Sequence, residues 1–177
     1  MRVAIVNFSQ QNMVTPEEVS AAIQSLPSFH YASIQLVYFD PSRTMATELA
    51  HEKKSPSTLK AKGTYYHDWN TSFSMIVIYP FPSRKAFYHT LFHEIGHHVF
   101  FHALDQPQRN EWFFNIRKTE SGFVTSAARK NSREDFAETY ACYCCRPERL
   151  TRAPKKRDFM ARTVFQKPGR STIQKIV

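Results

Sequence analysis

His93, Glu94 and His97 stand together in HEIGHH, inside the longer run FYHTLFHEIGHHVFFH. Residues four apart on an α-helix are offset by about 40° and rise about 6 Å, so the two imidazoles present side by side to one point. Two imidazoles so placed can take two of the tetrahedral positions of Zn²⁺. Glu94 projects from the flank of that face, where it can reach a metal-activated water and take its proton without being a ligand. The chemistry this spacing can do is metal-assisted hydrolysis.

A catalytic zinc needs a third protein ligand and one open position. His102 is the last histidine, so no distant third imidazole follows. The metzincin extension would require Gly at 100 and His at 103, and the chain has Phe100 and Ala103. A carboxylate is the better candidate. In SREDFAETYACYCC, Glu134 and Glu138 are four apart and share a helix face with Ala137, Ala141 and Cys145, small residues that let a second helix approach closely. Phe136, Tyr140, Tyr143 and Cys144 form the opposite, core-facing stripe. The alternative treats both glutamates as exposed helix formers. His89, one turn before His93, falls near the metal face, whereas His98 and His102 fall away from it. Cys142, Cys144 and Cys145 read as buried thiols.

Elements must hold these groups in place. RVAIVNF (2–8) reads as a buried strand. In TPEEVSAAIQSLP, Thr15 is an N-cap, Pro16 opens the helix and Glu18 completes a capping box, giving a helix over about 16–26. HYASIQLVYFD (30–40) is a second strand, so the chain starts β-α-β. Residues 41–63 read as a loop or as a weak helix near Thr44 to His51. GTYYHDWN (63–70) and SFSMIVIYP (72–80) are two further strands. Ser83 caps the histidine-bearing helix, which runs to about His102, and a further helix spans Gln108 to Arg117. FVTSAARK is extended or irregular. Asn131 or Ser132 caps the glutamate-bearing helix, which ends before Pro147. Pro154 opens a last helix, KKRDFMARTVF, broken at Pro168-Gly169.

Length, charge and cysteine content bound the rest. The 177 residues suit one domain with a real core. No apolar run approaches the roughly 18 residues of a membrane span, so no span is expected. The opening is too polar for a secretory signal, and three clustered cysteines fit a reducing compartment, so a cytoplasmic location is expected. Of the net charge of +9, residues 146–177 carry +8 and the body only +1. Such a segment reads as a solvated helix face, or as a surface for nucleic acid or an acidic partner.

HEIGH followed 37 residues after its second histidine by EDFAE resembles the gluzincin metallopeptidases of the anthrax lethal factor catalytic-domain type, which include small proline-specific endopeptidases. The resemblance runs from about Phe87 to Phe165 and takes in APKKRDFM. It implies that His93, His97 and Glu134 are zinc ligands, that Glu94 is the general base and that Glu138 orients a ligand histidine. It also implies that the strand SFSMIVIYP lies along the cleft, where an extended peptide adds to its edge. In these relatives a tyrosine commonly stands seven residues before the ligand glutamate, to steady the oxyanion. Here that position is Ala127. Either another donor serves (Tyr65, Tyr66 or His67), or turnover is slow, or the fold serves binding.

The expectation is a single α+β, zincin-like domain over 1–177, with a small mixed N-terminal sheet and a helical C-terminal half. Its activity would be zinc-dependent hydrolysis of a peptide or protein substrate. The rival is a zinc-stabilised module that docks nucleic acid or an acidic partner through residues 146–177.

Overall fold

The computed structural model describes residues 3–52, 60–120 and 122–166, the side chains of residues 49–52 excepted. The fold is α+β, a small mixed sheet followed by a helical half. The chain forms two compact units, 1–94 and 95–177, with the boundary inside one helix. No described helix is long and apolar enough to cross a membrane. Residues 53–59, around Pro56, and the Pro168-Gly169 break lie outside the described residues.

The first unit contains β1 (Ala4–Val6), α1 (Pro16–Gln24), β2 (Ile34–Phe39), α2 (Thr44–Glu52), β3 (Gly63–Asp68), β4 (Phe73–Ile78) and the start of α3 (Arg84–His102). The sheet order is β1-β2-β4-β3. β1, β2 and β4 are parallel, and β3 runs antiparallel along β4. The parallel β1-α1-β2 start follows from a helix with strong local signals: Thr15 Oγ1 accepts from the Glu18 N–H at 3.2 Å, and the Thr15 N–H donates to Glu18 Oε2 at 2.8 Å. Of the two readings of this stretch the helix holds, over Thr44–Glu52, and Asp40 Oδ2 accepts from the Met45 N–H in its first turn at 2.9 Å.

Two expectations change. β1 is not a buried strand: it is a three-residue edge strand with Ala4 and Val6 exposed. β4 has no open edge, because β2 and β3 flank it. Its continuous apolar run MIVI is what a strand covered on both faces requires. Among the described residues, β1 and β3 are the two edges.

One face of the sheet packs through Phe8, Phe39, Phe81 and Phe87, whose neighbouring rings lie 5.0–5.8 Å apart. The other carries Val77 and Tyr79 against Ala46 of α2.

The second unit holds the end of α3, α4 (Gln106–Asn110) continuing as a π-helical stretch (Glu111–Arg117), α5 (Ser132–Cys145), a 3₁₀ stretch (Pro147–Arg152) and α6 (Pro154–Phe159), which ends in π-helical turns (Met160–Val164). FVTSAARK is irregular apart from one 3₁₀ turn, Ala127–Arg129. Arg109 closes α3 by donating to the Leu104 carbonyl at 2.5 Å. Trp112, Phe136 and Phe159 are fully buried, with rings 5.1 and 5.3 Å apart. Burial of each such ring contributes about 1.5–3 kcal/mol. Phe136 is the α5 member of this cluster; Cys142 and Cys144 of the same helix are also buried, while Cys145 is partly exposed.

Candidate metal centre

Ser83 starts α3 as expected, its Oγ accepting from the Ala86 N–H at 3.2 Å. The helix then runs without a break through the motif. His93, Glu94 and His97 bring one ligand atom each to within 4.8 Å of one another. Glu94 is 5 % exposed, so its carboxylate works out of bulk water. His98 turns elsewhere: it is buried and stacks on His102 at 4.7 Å.

Asn131, rather than Ser132, caps α5, its Oδ1 accepting from the Arg133 and Glu134 N–H groups at 3.0 and 2.9 Å. Capping aims the first turn, where Glu134 sits. Glu134 Oε1 lies 3.4 Å from His97 Nε2. That is long for a hydrogen bond between these atoms. Two ligands of a tetrahedral zinc, each about 2.1 Å from the ion, stand about 3.4 Å apart. The donor set and this edge length therefore fit zinc.

Close approach makes the edge possible. A Cβ on Gly96 would fall 2.9 Å from Ala137 Cα and 3.1 Å from Tyr140 Cβ, so only glycine lets α3 and α5 meet there. Ala137 stands between Glu134 and Glu138 in sequence. Glu138, one turn after Glu134, is buried; the bland view of both glutamates as exposed helix formers does not hold.

Gly63 is a second glycine at the site. A Cβ there would meet Thr90 Cγ2 at 2.8 Å and Glu94 Oε1 at 2.9 Å, so the backbone at the start of β3 lies against the Glu94 carboxylate. Side chains alternate along a strand. Tyr65 and His67 therefore share the face of Gly63, and both reach Ser74 Oγ of β4, at 3.3 and 2.7 Å. Tyr66, paired with Met75, points to the opposite face. Burial pushes the Tyr65 phenol up to about 12, against the smaller opposing pull of its Ser74 bond. Trp69, beyond the strand end, is exposed and packs edge-on against His67 at 4.4 Å.

A family model described as "Putative zinc-binding metallo-peptidase" matches residues 79–175, more than half of the 177-residue chain. The chain belongs to this family. Its zinc-binding peptidase description agrees with the donor set built above. The metallo-peptidase match begins one residue after β4, so it takes in α3, α5 and α6 but leaves the sheet, with Tyr65, Tyr66 and His67, ahead of it. Comparisons with curated proteins and with solved structures return no match.

Sequence reasoning missed Gly63, Ser74 and the fate of the basic segment. A glycine opening a strand can signal close backbone approach, so Gly63 was within reach. The cations were not. Lys156 is fully buried against Asp135, Arg149 donates to the Val124 carbonyl, Lys155 to Thr119 Oγ1, and Arg162 pairs with Glu111. Of the described cations after residue 145, Lys156 is the buried one and Arg146 is partly buried; Arg149, Arg152, Lys155, Arg157 and Arg162 stay exposed.

Proposed function

We propose that the protein is a gluzincin-type zinc endopeptidase, acting as a single zincin-like domain on peptide or protein substrates. The observation that carries this reading is the 3.4 Å approach of Glu134 Oε1 to His97 Nε2, beside the His93, Glu94 and His97 cluster. His93, His97 and Glu134 would hold the metal, and Glu138, buried one turn on, would orient a ligand imidazole. Bound there, Zn²⁺ would supply Lewis acidity toward the scissile carbonyl and toward a water.

Glu94 takes the proton of the attacking water on its carboxylate and returns it to the leaving amine. Its burial keeps that proton from bulk solvent. The outer edge of β3 passes beside Glu94 at Gly63, so an extended substrate pairing with this edge is led across the base. Tyr65 or His67, on the same face, donates to the oxygen that gains negative charge, in place of the tyrosine absent at Ala127. With its pKa raised to about 12, Tyr65 keeps its proton through the neutral range.

Glu94→Gln is the test. It should retain one zinc per chain by elemental analysis while hydrolysis of a peptide library falls by about 10³-fold. Full activity in this variant removes Glu94 from its role, and a wild-type chain that takes up no zinc removes the enzyme.

A further inference from the structure

Glu134 reaches His97 only if the first turn of α5 is set correctly in two respects, its distance from α3 and its rotation about its own axis. Gly96 and Ala137 set the distance. The rotation has a separate anchor. Asp135, the next residue, projects about 100° round the helix from Glu134 and is fully buried. Its Oδ1 accepts from Lys156 Nζ at 2.8 Å, and Arg117 Nε stands 3.6 Å from its Oδ2. Lys156 is also fully buried. Its ammonium donates a second bond, to the Gly122 carbonyl at 2.8 Å, and lies 4.6 Å from the centre of the Phe123 ring. Its backbone N–H donates to Glu120 Oε2 at 2.9 Å. The start of α6, the Gly122 carbonyl with the Phe123 ring, and the first turn of α5 thus meet at one ammonium.

We infer that Lys156 is a positioning residue of the metal centre: by holding Asp135 it fixes the azimuth of α5 and so aims Glu134 at His97. This rests on Glu134 being a ligand, as proposed above. Energetics favour a role in geometry over one in stability. A buried ion pair loses so much hydration that apolar residues of similar volume often replace it with no loss of stability. What an apolar pair cannot reproduce is a directional contact at one atom on each side. Lys156, unlike the exposed cations around it, then serves the second unit from within.

The experiment compares wild type, Lys156→Arg, and the double variant Asp135→Leu with Lys156→Met. Melting temperature reports folding, chelator competition reports zinc affinity, and the visible absorption of bound Co²⁺ reports coordination geometry. The double variant should still melt cooperatively, at a temperature lowered by what Arg117 and the Gly122 carbonyl lose, and at temperatures where it is folded it should bind zinc about 10–100-fold more weakly, with an altered Co²⁺ spectrum. Lys156→Arg, which keeps the charge but not the compact ammonium, should show a smaller change in the same direction. A folded variant with wild-type affinity and spectrum overturns the inference. Wild type gives an independent reading: the ¹⁵N resonance of the Lys156 ammonium should move when zinc is added, and a stationary resonance overturns it too. A wild-type chain that binds no Co²⁺ fails one step earlier, at the ligand assignment itself.

Discussion

α3 and α5 are both buried helices that carry acidic groups, but they hold those groups in place by different means. In α3 the period of the helix alone brings His93, Glu94 and His97 within 4.8 Å. In α5 local structure alone does not aim Glu134. Its place depends on the Asn131 cap, on the Gly96 contact with Ala137 and on the Asp135–Lys156 pair. The first arrangement survives wherever the helix forms, and the second only where three elements agree.

Substitutions should separate the two. The largest effect is expected for Gly96→Val, whose side chain would begin 2.9 Å from Ala137 Cα. Overpacking of this kind costs about 3 kcal/mol, and here it also moves Glu134 away from His97. Melting temperature and zinc content should fall together; a stable, zinc-replete variant breaks the contrast. Next comes Gly63→Ala. Its Cβ would meet Glu94 Oε1 at 2.9 Å while touching no proposed ligand. Activity should drop by roughly 10-fold or more through displacement of the base, with zinc retained, so loss of zinc would show that β3 supports the metal as well. The smallest is Asn131→Ala, which removes a cap worth about 1 kcal/mol. Its melting temperature should fall by a few degrees and its zinc affinity more than that of Thr15→Ala, a cap of similar strength on α1, a helix that carries none of the proposed ligands. Equal zinc affinities would mean that α5 is aimed without its cap.

The same contrast explains what could be read beforehand. The capping box of α1, the Ser83 cap and the HExxH face are local, and each stands where its residues indicate. Glu134 was half legible, since the residue types marked the face but left its neighbour Glu138 open. Strand order needs partners distant in sequence, yet the signal was present: MIVI is apolar throughout and belongs in the middle, while TYYHD is mixed and belongs at an edge. RVAIV misled for the opposite reason, being apolar but too short and too marginal in the sheet to be covered. Lys156 had no signal at all. Whether a lysine in a run of cations is buried depends on an aspartate 21 residues away, and nothing in PKKRDF distinguishes it from its neighbours.

β3 stands last in the described sheet, with a strand neighbour on one side, and carries a single formal charge, at Asp68. A bare rim of amides and carbonyls accepts any extended chain and not only a substrate. At high concentration other copies of the molecule would compete for it with the extended substrate proposed above, so the same edge also favours self-association.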